Sequence, residues 1–191
     1  MSPRWFLLAF VLLTLSGAAG ALDKKDRTPK VEPFASEAGR FAVKAAGKES
    51  LDTKQLTYGP DPDQTVTRTI TKWEGPQGGN AGGTFSVTYA DYPASFKGVD
   101  AKVLLDGARD GVRGPEGLGG TVQSDKPAEV AGPADAKLPG REVVVKARKN
   151  WVRVRLVLVD LRLYEVMVSG SEDAATGEAA TKFLDSFAVT K

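Results

Sequence analysis

The residues that could support catalysis are few, because this 191-residue sequence contains no histidine and no cysteine. Their absence excludes Ser-His-Asp and Cys-His nucleophiles, the common zinc sites, haem ligation by histidine, and disulfide bonds. An enzyme built from this chain would have to use carboxylates, lysines or a metal site made of oxygen ligands. We expect no cofactor, no metal and no catalytic residue.

The best carboxylate cluster is formed by Asp106, Asp110 and Glu116. Asp106 and Asp110 are four residues apart on a predicted helix, and Arg109 and Arg113 repeat that spacing beside them. A solvated helix face of mixed charge accounts for this pattern. The alternative is an enzyme that acts on envelope glycans, which would need two carboxyl groups facing each other in a cleft.

The second candidate site is a charged face of a predicted sheet, formed by Lys146, Trp151, Arg153 and Arg155. Basic side chains beside an aromatic ring can bind a polyanion, such as a surface polysaccharide or a nucleic-acid strand. Glu142 and Glu165 are predicted on the same face and favour internal ion pairing instead. These four residues are therefore a possible ligand face, with pairing within the protein as the simpler interpretation.

Residues 139–170 predict three consecutive antiparallel strands, because apolar and polar residues alternate along them. A one-residue slip would move every side chain to the other face, so the apolar pattern should select the turn. We predict a three-residue loop at 160–162, which sets Leu156 opposite Val166. A two-residue loop would set Leu156 opposite Glu165 and is rejected. The first two of these strands should share an apolar face formed by Val143, Val145, Val152 and Val154.

Two amphipathic helices are predicted to pack on the sheet. Residues 100–112 have Asp100 as N-cap and one apolar stripe formed by Ala101, Leu104, Leu105, Ala108 and Val112. A second helix begins after Ser171, with a stripe formed by Thr176, Ala180, Phe183, Leu184 and Phe187. Together with about seven or eight strands, these helices predict an α+β domain, an antiparallel sheet with helices packed on it.

The N-terminal residues have the pattern of a secretory signal peptide. Arg4 precedes an apolar run at 5–15 that is too short to span a bilayer comfortably, and small residues follow it up to Ala21. We predict that residues 1–21 are removed before Leu22, with an uncleaved membrane anchor as the alternative. Because the sequence lacks cysteine, a lipid-anchored bacterial lipoprotein is excluded. Residues 22–36 are charged and interrupted by prolines, which predicts a flexible linker before a single domain at 37–191.

The charge balance constrains the partner. One of the 26 basic residues, Arg4, lies in the predicted leader, and 24 acidic residues balance the others. This near-neutral chain gives no support for a nucleic-acid partner. We predict an exported protein, periplasmic or extracellular, with no stable membrane anchor after cleavage. Its expected role is that of a non-catalytic binding or accessory module for a protein or an envelope polymer; the carboxylate-dependent enzyme and the polyanion-binding domain are the alternatives.

Several short segments spread over nearly the whole predicted domain form a family pattern: Gly39-Arg40-Phe41, residues 85–93, 105–111, Pro139-Gly140-Arg141-Glu142, 162–170 and 183–187. Together they resemble a family of uncharacterised exported bacterial proteins. That family is similar to the PsbP-like fold of extrinsic photosystem proteins and other small binding modules, which implies an antiparallel sheet flanked by helices. Photosystem PsbP proteins use histidines among their metal contacts, whereas this chain has none. Relatives turn the hairpin through Gly-Asn or a similar pair, where this chain has Asp160-Leu161, so no functional residue is carried over.

Overall fold

A computed structural model of the protein describes residues 30–57, 65–76, 82–113, 119–148 and 150–191. Within these ranges the chain forms ten strands: β1 Val31–Ser36, β2 Phe41–Ala46, β3 Glu49–Thr57, β4 Thr65–Pro76, β5 Gly82–Asp91, β6 Thr121–Ala131, β7 Lys137–Lys146, β8 Trp151–Val159, β9 Arg162–Gly170 and β10 Ala188–Val189. It also forms three α-helices: α1 Ala101–Arg113, α2 Glu172–Thr176 and α3 Glu178–Ser186.

The strands form one curled sheet in the order β1-β2-β10-β6-β7-β8-β9-β5-β4-β3. Neighbouring strands are antiparallel except for β10 and β6, which run parallel with Ala188 opposite Ala131. The prediction of about seven or eight strands in an antiparallel sheet is therefore wrong, since the described sheet has ten strands and is mixed. The strands that the sequence pattern missed are short, as in β10, or largely exposed, as in β1.

Strand β1 occupies part of the segment that the sequence predicts to be a flexible linker. Each of its six residues has a partner in β2. Phe34 also packs edge-on against Trp73 of β4, with ring centroids 5.2 Å apart. The predicted linker therefore does not extend to Ser36, because backbone pairing and an aromatic contact hold residues 31–36 in the sheet. The predicted signal peptide and residues 22–29 lie outside the described residues.

Both faces of the central strands are buried, each in its own hydrophobic core. The inner face lies inside the curl against α2 and α3, and its core includes Trp73, Phe85, Val157, Tyr164, Val166, Val168, Phe183, Leu184 and Phe187. The outer face lies against α1, and its core consists of Ala108, Val112, Val143, Val145, Val154, Leu156 and Leu163. Each fully buried large side chain of this kind contributes about 1.5–3 kcal/mol of transfer free energy. The central strands are thus stabilised from both sides.

The helix predicted at residues 100–112 is confirmed as α1. Asp100 is its N-cap, because the Asp100 Oδ1 atom accepts a hydrogen bond from the Lys102 backbone N–H at 2.7 Å. Leu104, Ala108 and Val112 are buried as the stripe predicts, whereas Ala101 at the first helical position is exposed. The helix covers β7 and β8 on the outer face.

The C-terminal helix is also present, but Gly177 divides it into α2 and α3. Ser171 caps α2 by accepting a hydrogen bond from the Ala174 N–H at 3.2 Å. Gly177 is extended, with ψ of −178°, and a Cβ atom there would lie 2.4 Å from the Asp173 carbonyl oxygen. No other residue fits without a shift of the backbone. Of the predicted stripe, Thr176 is exposed and the remaining residues are buried: Ala180, Phe183, Leu184 and Phe187.

The β8–β9 hairpin has the register that the sequence analysis rejected. Asp160 and Leu161 form a two-residue turn, so that Val159 pairs with Arg162 and Leu156 pairs with Glu165. The predicted three-residue loop is therefore wrong. In contrast, the predicted shared face of β7 and β8 is confirmed, since Val143 lies opposite Val154 and Val145 lies opposite Val152.

The register differs because both faces of β8 and β9 are buried. Val157 and Tyr164 point into the inner core, while Leu156 and Leu163 point into the outer core. Alternation specifies a register only when one face is polar, and here an apolar residue suits either face. The consecutive apolar residues at 156–159 indicate burial on both faces. The alternating pattern at 151–155 instead suggested that one face is polar.

The turn conformation itself can be tested. Asp160 has a φ of 53°, in the left-handed region that aspartate and glycine tolerate and β-branched residues avoid. We expect Asp160→Gly to stay within about 1 kcal/mol of the wild-type free energy of unfolding, because glycine adopts this φ freely but adds entropy to the unfolded chain. Asp160→Val should lower that free energy by about 1–2 kcal/mol. Equal stabilities of the two variants in denaturant unfolding would contradict the assigned turn.

Candidate functional site

The charged face predicted from the sequence is covered by α3 rather than by solvent. Arg155 is 8% exposed, and its Nη2 atom lies 2.8 Å from the Glu142 Oε2 atom. The same guanidinium group donates hydrogen bonds to the Leu184 carbonyl oxygen at 3.0 Å and to Asp185 at 2.9 Å. Arg155 therefore links β8 to β7 and both strands to α3.

Arg153 makes a similar link one turn earlier along α3. Its Nη1 atom donates a hydrogen bond to the Thr181 hydroxyl at 2.9 Å, and its Nη2 atom lies 3.1 Å from the Glu142 Oε1 atom. Lys126 of β6 approaches the same oxygen atom of Glu142 at 3.2 Å. We call Glu142, Lys126, Arg153, Arg155 and Asp185 the Glu142 cluster. The predicted internal pairing of this face is present through Glu142, whereas Glu165 lies on the outer face because of the register.

The Glu142 carboxyl group is held in its charged form. Burial alone would raise its pKa, but the hydrogen bond from Arg155 and the charges of Arg153 and Lys126 outweigh that effect. The pKa of Glu142 therefore lies below its ordinary value of 4.5. A carboxyl group in this state cannot donate a proton near neutral pH, so the cluster has the properties of a structural ion network.

The other two residues of the predicted ligand face lie at the end of the β7–β8 hairpin. Lys146 is exposed and its Nζ atom lies 5.3 Å from the centroid of the Trp151 ring, a cation–π contact. The structure therefore separates the four predicted residues into a pair fixed under α3 and a pair accessible at the strand ends. Their use as a ligand face stays a prediction.

The predicted carboxylate cluster is neutralised by arginines. Asp106 pairs with Arg109 and Arg141, and Asp110 pairs with Arg109. Asp125 of β6, which the sequence analysis did not include, bridges the same two arginines. Hydrogen bonds from Lys102 and, to a smaller extent, from Arg141 lower the pKa of Asp106. Burial would raise that pKa, but the hydrogen bonds outweigh it. The cluster joins α1 to the β6–β7 hairpin; Glu116 lies outside the described residues.

A buried ion pair that sequence reasoning missed lies on the outer face. Arg68 of β4 contacts Glu165 of β9, and both side chains are at least 90% buried, at 7% and 3% exposure. The cavity beside them has a volume of about 10 Å³, enough for a single water molecule, and Thr88 and Tyr92 are among its lining residues. This cavity cannot hold a substrate.

An open groove lies between β2 and the exposed side of α3, with a volume of about 590 Å³. Its lining residues are Val31, Lys44, Glu178, Ala179, Lys182, Phe183, Asp185 and Ser186. Ser186 closes one side by accepting a hydrogen bond from the Lys44 backbone N–H at 2.9 Å. Phe41 and Ala42 of β2 pair with β10. Along the rest of the same edge, β2 faces α3 instead of another strand. We refer to this surface as the β2–α3 groove.

The described part of the chain contains no group of three or more acidic side chains placed to hold a metal ion. None of its helices is both long and apolar enough to cross a membrane.

The similarities that comparisons with known proteins find are to solved structures. No protein-family model matches the sequence, and no curated protein gives a significant match. The chain is similar to the solution structure of cyanobacterial PsbP (CyanoP) from Synechocystis sp. PCC 6803, with 12% sequence identity and a TM-score of 0.47, over 91% of this chain and 99% of that chain. That protein carries the name of the fold that the sequence motifs resemble. A similarity at this level carries no argument about ligand, partner or site, so these are argued from the contacts of this chain alone.

The Glu142 cluster gives a prediction about pH. Glu142→Gln should lower the free energy of unfolding at neutral pH by about 3–5 kcal/mol, because it removes the counter-charge of Arg153 and leaves Arg155 with the largely exposed Asp185 alone. The stabilisation by the wild-type carboxylate is present above its ordinary pKa of 4.5 and is lost as the pH falls through the lowered folded-state value. The difference between wild type and variant should therefore shrink in acid. Denaturant unfolding across this pH range measures it.

The matched control for that experiment is Glu129→Gln on the neighbouring strand β6. Glu129 pairs with Lys137 at 3.1 Å, but both side chains are largely exposed, at 66% and 76%. Its substitution should change stability by less than about 1 kcal/mol. If Glu142→Gln behaved like this control, Glu142 would not support α3.

Proposed function

We propose that the mature chain is exported, to the periplasm or the cell exterior, and acts there as a non-catalytic binding or accessory module. The support for export is the leader-like sequence at residues 1–21. The support for a non-catalytic role comes from the charges of the domain.

One observation carries the non-catalytic part of the proposal. Every described carboxylate that is buried or half-buried forms an ion pair with lysine or arginine: Asp52, Asp106, Asp110, Glu142 and Glu165. A glycan-cleaving enzyme needs one carboxyl group with a raised pKa as general acid, facing a second carboxyl across a cleft. The pKa values of Asp106 and Glu142 are lowered instead. These five carboxylates thus serve the structure of the domain.

The surface that fits a partner best is the β2–α3 groove. Ala179 and Phe183 give it an apolar floor, while Lys44 and Lys182 stand at its sides. Such a combination of apolar contacts and polar rims is typical of sites for an extended polypeptide segment. We therefore assign the groove to an extended segment of a protein partner. An envelope polymer and a polyanion at the Lys146–Trp151 pair are the competing outcomes of the test.

The proposal predicts where a partner contacts the protein. A photo-crosslinking residue, p-benzoylphenylalanine, placed at Ala179 should give a discrete adduct in cells of the source organism, and that adduct should be destroyed by protease. The same residue at Ala136, which is exposed after β6 and outside the groove, should give none. Lys182→Glu reverses the charge of a groove side chain that is 74% exposed and pairs with Glu178, so it should reduce the adduct while leaving stability within about 1 kcal/mol.

Other results would contradict the proposal. An adduct removed only by glycan hydrolases would identify an envelope polymer, and the absence of any adduct at Ala179 would exclude the groove. Release of reducing ends from envelope glycan by the mature protein, abolished by Glu178→Gln, would identify an enzyme. Salt-sensitive retention on heparin that is lost in Lys146→Gln would identify the polyanion-binding alternative.

A further inference from the structure

Strand β3 ends the sheet with an edge that no other strand covers within the described residues. The backbone N–H and C=O groups of such an edge can pair with another chain, and proteins usually protect it. The opposite end strand, β1, has six residues and contains Pro33, which cannot donate a hydrogen bond. Strand β3 has nine residues and no proline, and Leu51 is 71% exposed on it. Its edge therefore lacks the protection that β1 has.

The charges on β3 alternate in a way that fits a second copy of the same strand. Asp52 and Lys54 lie on one face, on either side of Thr53, which is the midpoint of Glu49–Thr57. Within one chain their charged atoms are 3.9 Å apart, at the limit of an ion pair, and the side chains are 44% and 30% exposed. Both groups are thus available to a neighbouring strand.

We propose that β3 pairs with β3 of a second copy of this chain, antiparallel and centred on Thr53. In this register Asp52 of each copy lies opposite Lys54 of the other. The two-fold axis therefore gives two favourable cross-strand ion pairs. A register centred on Asp52 or on Lys54 would set like charges opposite each other, and so would a parallel in-register pairing. The Thr53-centred register is also the one in which all nine residues of both strands are paired.

The pairing makes one continuous sheet across the two copies. Side chains of the second copy then lie beside Leu51 of the first. It uses the edge of β3, whereas the proposed partner site uses the groove at β2 and α3. The two proposals therefore depend on different residues and can fail separately.

Charge reversal tests the register. Sedimentation equilibrium of the mature chain should show a dimer, and Asp52→Lys or Lys54→Asp alone should raise its dissociation constant roughly 10- to 30-fold, because two attractive cross-strand pairs become repulsive. The double variant D52K/K54D should restore the wild-type dissociation constant. Mixing the two single variants should give a heterodimer, since each then supplies the charge that the other needs. Circular dichroism melts confirm that all variants are folded.

A cysteine substitution locates the interface, because the chain has no cysteine of its own. Thr53→Cys should be cross-linked into dimers by a short bismaleimide, while Thr121→Cys, exposed on β6, should not. A wild-type protein that stays monomeric up to about 1 mM would overturn the proposal. A dimer that ignores both charge reversals, or one cross-linked equally through either cysteine, would overturn it as well.

Discussion

The position of α3 over the sheet depends on a buried ion network in which the Glu142 carboxylate and two arginines neutralise one another. Arg153 and Arg155 of β8 point to the inner face, where burying their charges without a partner would cost several kcal/mol. Glu142 supplies the counter-charge from the neighbouring strand, at 3.1 Å and 2.8 Å. Both arginines also bond to α3, Arg153 through the Thr181 hydroxyl and Arg155 through the Leu184 carbonyl oxygen. These polar contacts hold α3 beside the aromatic core that it covers.

How much of this fold the sequence reveals depends on how each strand is buried. Val143 and Val145 lie between Glu142 and Lys146, and the apolar face that they share with Val152 and Val154 was predicted correctly. The same reasoning failed at β9, because apolar side chains serve both of its faces. Strand β10 has only two residues and therefore carries no periodicity at all. Helices α1 and α3 were predictable because each buries a single stripe, and α1 also begins at a recognisable cap, Asp100.

The candidate site was harder to predict than the fold, because its parts are distant in sequence. Arg153 and Arg155 are visible as a basic pair, but nothing near them indicates that α3 covers them. Glu165 lies 97 residues from its partner Arg68, and the β2–α3 groove joins Val31 to side chains at 178–186. Local pattern reasoning identified which residues carry charge. Whether a charge faces solvent or a helix is decided by tertiary contacts, which a single sequence does not display.

The place of β10 in the sheet has a consequence for the order of folding. Ala188 and Val189 lie between β2 and β6, and the Thr190 N–H donates a hydrogen bond to the Arg40 carbonyl oxygen at 2.9 Å. The β1–β2 hairpin therefore joins the sheet through residues that are synthesised about 150 positions later, a separation that makes closure slow. A ribosome-bound or emerging chain that ends before Ala188 has two unjoined sheet fragments. The two fragments can be joined by β10 only after the last residues of the chain have been synthesised.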